Sequence, residues 1–116
     1  MVRLAADPYV VAAARRHAVE VGRAHLDAGR CEDLALAVSE LVTNAIRHGG
    51  DPVTLDVRPD AAGVRVEVTD GSPELRPTEA PGLLDTGRRG LHLVDAVCRA
   101  WGWHTVDGGK CVWCEL

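Results

Sequence analysis

At Asp51-Pro52 the apolar pattern of this chain changes period, and that change restricts it to a mixed fold. Upstream, Leu34, Ala37, Val38, Leu41, Val42, Ala45 and Ile46 recur at the three- and four-residue steps that put side chains on one face of a helix. Downstream the step is two. Val53, Leu55 and Val57 alternate with Thr54, Asp56 and Arg58, and after a Pro59–Gly63 turn Val64, Val66 and Val68 alternate with Arg65, Glu67 and Thr69. That is the pattern of an antiparallel hairpin with one wet face. A chain with apolar helix stripes and a one-sided apolar sheet covers both by laying the helices on the sheet.

The remaining segments extend the same plan. Val2–Ala6 reads as a short strand, followed by a helix capped by Asp7 with Pro8 in its first turn, running to about Ala28 with Gly29 as its stop. The second helix starts near Cys31 or Glu32 and ends at Gly49-Gly50. A third helix opens at Gly90, with Leu91, Val94 and Val97 or Cys98 inward. Trp101–Val106 and Cys111–Leu116 form a closing hairpin around Asp107–Lys110. Between Gly71 and Arg89 lie three prolines and three glycines without periodicity, a stretch long enough to suggest a lid or binding loop. The expectation is an α+β protein, a two-layer α/β sandwich with a mainly antiparallel sheet and helices on one face, forming a single domain over residues 1–116.

With 116 residues, 47% of them hydrophobic, the chain can build a core without metal or disulfide staples. A net charge of −4 and scattered arginines leave no basic stripe, which argues against nucleic acid as a partner. No apolar run approaches the roughly 18 residues of a membrane span. Asp7 and Pro8 interrupt any signal-peptide core, so the expected location is cytoplasmic. Cys111 and Cys114 match C-x-x-C, yet on a strand that spacing sends the two thiols to opposite faces. With Cys31 and Cys98 they read as structural thiols rather than a redox or metal site.

Three constellations carry chemistry. Glu40, Asn44 and His48 recur every four residues and line one stripe beside the apolar face of the second helix. Together they offer a carboxylate base, a neutral oxygen ligand for a hard cation and a phosphate-facing donor. A polar stripe is more often a solvated edge, but Asn is a middling helix former and Asn44 sits mid-helix. Asp70-Gly71-Ser72 closes a strand, placing a carboxylate before a thin piece of backbone, though an ordinary turn has the same letters. Gly87-Arg88-Arg89-Gly90-Leu91 feeds a loop into a helix start, where free N–H groups and two guanidinium groups suit a polyphosphate.

In this order the three resemble the superfamily of gyrase, heat-shock chaperone, histidine-kinase and mismatch-repair ATPases. Ser39-Glu40-Leu41-Val42-Thr43-Asn44-Ala45-Ile46-Arg47-His48-Gly49 is similar to the corresponding helix of bacterial anti-sigma-factor serine/threonine kinases, and Gly90–Asp95 and Gly109–Leu116 resemble small members of that family. The resemblance implies ATP and Mg²⁺ as cofactors. It also implies that Asn44 holds the metal, that Glu40 is the general base for a protein hydroxyl, and that Asp70 reads the adenine amine. Gly90-Leu91 would hold phosphate, with Arg88, Arg89, Gly71 and His48 completing the site. The partners it implies are a sigma factor, a small antagonist protein, or both, with a homodimer through Met1–Ala6. The family's acidic motif continues Asp-x-Gly-x-Gly, whereas this chain has Ser72 and Glu74 at the glycine positions. That departure keeps open a second reading, a regulatory binding module with weak or no ATP turnover. A detached histidine-phosphorylating domain fits less well, because Glu40-x-x-x-Asn44 is closer to the serine kinases.

Overall fold

A computed structural model describes residues 1–5, 7–72 and 89–116, with residues 89–91 described as helical backbone. The elements are β1 (Val2–Leu4), α1 (Val10–Gly22), α2 (Ala28–His48), β2 (Val53–Asp60), β3 (Gly63–Asp70), α3 (Arg89–Val97), β4 (Ala100–Val106) and β5 (Gly109–Glu115). The strands form one antiparallel sheet in the order β1-β2-β3-β5-β4. The two-layer α+β architecture expected from the change of period is the one observed.

The alternation decides which face is covered. Val53, Leu55, Val57, Val64, Val66, Val68, Val112 and Cys114 point to one side and are buried there with Leu34, Val38, Leu41 and Val42 of α2 and Ala14 and Ala18 of α1. At about 1.5–3 kcal/mol for each large aliphatic side chain, this shared cluster is the main driving force for folding. The opposite face is held by charge. Arg58 pairs with Asp56 and Glu67, Arg65 with Glu67 and Glu115, and Arg99 with Glu115 and Asp60. The Arg65 guanidinium also lies 4.4 Å from the centroid of the Trp113 ring.

Three helix boundaries differ from the sequence expectation, both ends of α1 and the start of α2, which lies at Ala28 and not near Cys31 or Glu32. The first helix ends at Gly22 instead of near Ala28, and Gly29 stops nothing, because it lies in the first turn of α2. The cause is Asp27. Its carboxylate accepts the Arg30 N–H at 2.8 Å and so starts a new helix where the pattern of letters suggests a continuing one. Asp7 likewise accepts the Tyr9 N–H at 2.7 Å, but α1 itself begins only at Val10. In the last hairpin the strand starts at Gly109, so Lys110 belongs to β5 and not to the turn.

The cysteines take the faces that strand geometry dictates. Cys111 stands opposite Thr69 and His104, and Cys114 opposite Val66 and Trp101. The Cys114 thiol hydrogen-bonds that of Cys98 beyond the end of α3. This bond and burial raise the Cys114 pKa well above the usual thiol range, while the same bond lowers that of Cys98. Among the described residues, no helix is long and apolar enough to cross a membrane.

Candidate functional site

The site is organised by the C-terminal half of α2. Its apolar stripe faces the sheet, which leaves Glu40, Asn44 and His48 half-buried along the adjoining edge. Asn44 Nδ2 and His48 Nε2 are both shielded from solvent, yet neither finds a hydrogen-bond partner among the described residues. A buried polar group left without a partner costs about 1–3 kcal/mol, so such atoms are rare in a folded protein and need an explanation. Two on successive turns of one stripe suit contact with a polar ligand. Glu40 is half-buried and makes no ion pair with a described residue.

Asp70, the last residue of β3, is brought to the end of the same helix. Gly49 is the C-cap of α2, and a methyl group on it would overlap the Asp70 carboxylate. On the sheet side, a methyl group on Gly109 would strike the Asp70 carbonyl oxygen. These two glycines let helix end and strand ends close around one carboxylate. The Asp70 side chain is not free, however. Its Oδ1 accepts the Ser72 N–H at 2.9 Å and Lys110 Nζ at 3.0 Å, and its Oδ2 lies 3.0 Å from the same ammonium. Lys110 also donates to the Ser72 carbonyl at 2.9 Å.

Sequence reasoning missed Lys110. It stands directly across from Asp70 in the β3–β5 register and is buried with it. The signal was available in the parity of β5, where Lys110, Val112, Cys114 and Leu116 share the apolar face. A lysine on such a face needs a carboxylate within reach.

α3 packs against α2, so the third motif joins the other two. Its backbone is helical from Arg89, putting Gly90 and Leu91 in the first turn, where N–H groups lack intrahelical acceptors. Arg88, Glu74 and the side chains of Arg89 and Leu91 lie outside the described residues, as does the rest of the expected lid from 73 to 88. A cleft of about 320 Å³ adjoins the end of α2, lined by Ala45, Ile46, Gly49, Gly50 and Asp51 among others, and none of the sequence-predicted site residues lines it.

The arrangement has a definite chemical capacity. Asn44 presents an amide whose oxygen suits a hard cation and whose nitrogen suits a phosphate oxygen. Glu40 lies one helical turn away, and the start of α3 favours an anion through its free N–H groups and dipole. The residues present therefore fit a metal-bound polyphosphate. Comparison with known sequences agrees in kind: the family described as the histidine kinase-like ATPase domain matches residues 4–116. A search of curated proteins finds no match to the chain.

Proposed function

The chain belongs to the histidine kinase-like ATPase domain family, and from that premise we propose that it is an ATP-binding anti-sigma factor with serine/threonine kinase activity. The observation that carries this reading is the pair of unpartnered nitrogens on Asn44 and His48, one and two turns beyond Glu40. ATP supplies the phosphoryl group and Mg²⁺ neutralises the phosphate charge. The chain's own share is to hold and to deprotonate. Asn44 offers its side-chain oxygen to the cation, and the first turn of α3 directs N–H groups at phosphate. Glu40 takes the proton from a serine or threonine hydroxyl presented by a small antagonist protein.

Titration of the purified chain with ATP tests the reading. Binding is expected with Mg²⁺ and is expected to weaken by about tenfold or more without it, since the phosphate charge is then left without its counter-ion. Asn44→Ala should show the weakened affinity even with Mg²⁺ present. Calorimetry that registers no heat for ATP at any Mg²⁺ concentration would remove the kinase reading. One observation favours the second reading, a regulatory binding module of the same fold: the Asp70 carboxylate already has an ammonium partner.

Under either reading a partner protein must dock. A groove of about 460 Å³ between α1 and α2 is lined by Arg15, Arg16, Val19, Glu20, Arg23 and Ala35. Arg58, Arg65 and Arg99 on the sheet are paired, whereas Arg15, Arg16 and Arg23 make no ion pair with a described residue. Unpaired guanidinium groups over a small apolar floor support an acidic segment of the partner as occupant. Arg16→Glu with Arg23→Glu should weaken capture of the cognate sigma factor or antagonist by about tenfold or more, because like charges then face each other. Surface plasmon resonance giving unchanged affinity would exclude the groove as the docking face.

A further inference from the structure

An ionised carboxylate has about four acceptor sites. On Asp70, Oδ1 takes the Ser72 N–H and the Lys110 ammonium, and Oδ2 lies 3.0 Å from the same ammonium. The end of α2 abuts the carboxylate, since a methyl group on Gly49 would overlap Cγ and Oδ2. The Asp70 side chain is 2% exposed and that of Lys110 is 5% exposed. The ammonium donates to Asp70 Oδ1 and to the Ser72 carbonyl, and lies 3.0 Å from Asp70 Oδ2. Each charge is thus answered by the other inside the chain, away from solvent.

We propose that Lys110 is a specificity-determining residue. It occupies, from within the chain, the carboxylate that would otherwise read an exocyclic amine on the base, so that the site accepts nucleoside triphosphates without regard to the base. The assignment rests on the nucleotide-binding reading above. A base amine is a neutral donor, whereas the ammonium adds the attraction of an opposite charge to its hydrogen bond. Lys110 is also held in place by β5, directly across from Asp70. An amine that displaced it would leave a buried ammonium without its counter-charge, a larger penalty than one neutral hydrogen bond returns. Recognition therefore falls to Asn44, His48 and the start of α3, which address the polyphosphate common to all nucleotides.

The test compares ATP with inosine triphosphate, which replaces the amine by a carbonyl and the neighbouring N1 acceptor by an N–H. Calorimetry on the full chain with Mg²⁺ should give affinities that agree within about threefold, where a read amine would separate them by roughly tenfold to a hundredfold. Lys110→Thr frees the carboxylate and should create a preference for ATP of about tenfold. The fold of that variant is checked by circular dichroism, and the ratio in the unmodified protein decides the matter without any variant. Lys110 is the only lysine in the chain, so its ¹⁵N-labelled ammonium gives a single side-chain signal. That signal should stay in place when ATP and Mg²⁺ are added. A tenfold preference for ATP in the unmodified protein, an unchanged ratio in folded Lys110→Thr, or displacement of the ammonium signal by ATP would each overturn the assignment. If the unmodified protein binds neither triphosphate, the nucleotide reading fails and this assignment fails with it.

Discussion

Glu40→Gln is expected to slow phosphoryl transfer to a serine-bearing antagonist by about a hundred- to ten-thousand-fold, the usual effect of removing a positioned general base. Its affinity for ATP should stay within about twofold of the unmodified value, because a base is needed only while a hydroxyl is being deprotonated. The structure makes the substitution a clean one. Glu40 is half-buried on α2 and has no ion-pair partner among the described residues, and Gln has the same shape and a similar helix propensity. Asn44→Ala is the contrasting variant. Asn44 lies one turn further along, about 6 Å at 1.5 Å per residue, and should matter for affinity and turnover alike. Radiolabel transfer from ATP, measured beside calorimetry on both variants, separates the two roles. Transfer at the normal rate by Glu40→Gln would show that the proton goes elsewhere. Partner capture without any transfer by the unmodified protein would favour the regulatory module.

The largest effect on stability is expected from Lys110→Met. Removing one member of a buried pair leaves the other as an uncompensated charge, at a cost of about 3–5 kcal/mol. For a domain of this size that corresponds to a fall in Tm of roughly 10–20 °C. Adding Asp70→Asn to the same protein removes the orphaned charge but keeps an oxygen for the Ser72 N–H, so most of the stability should be recovered. High salt should leave the effect in place, since a pair this buried is poorly screened. The half-exposed pairs of Arg58 and Arg99 on the outer face should respond to salt and contribute little. Thermal denaturation of the single and double variants is the check. A single variant melting within about 2 °C of the unmodified protein would mean that the charge of Asp70 needs no partner.

Much of this was legible because periodicity survives in the letters. The stripe of α2 and the alternation of β2 and β3 are direct records of which side chains face the core, and Glu40, Asn44 and His48 stand out against the first of them. The break between α1 and α2 is obscured by two competing signals two residues apart. Gly29 reads as a terminator, whereas the carboxylate of Asp27 is what governs the segment. The Asp70–Lys110 pair spans 40 positions, so no local spacing announces it, and only the strand register brings the two together. Solvent exclusion around Asn44 Nδ2 and His48 Nε2 is a property of the packed molecule alone, and no residue pattern encodes it.

His48 is the last residue of α2, and Gly49, its cap, is fitted against Asp70. The helix is thereby anchored at one end like a ruler against a stop. Each residue along it advances 1.5 Å and turns about 100°, so the bearing of Glu40 and Asn44 on the carboxylate is set by how many residues separate them from Gly49. A single insertion between Asn44 and the stop would turn both side chains by about 100° relative to the carboxylate while leaving every letter of the motif intact. α2 is therefore far more tolerant of new residues on its outer surface than of any change in their number.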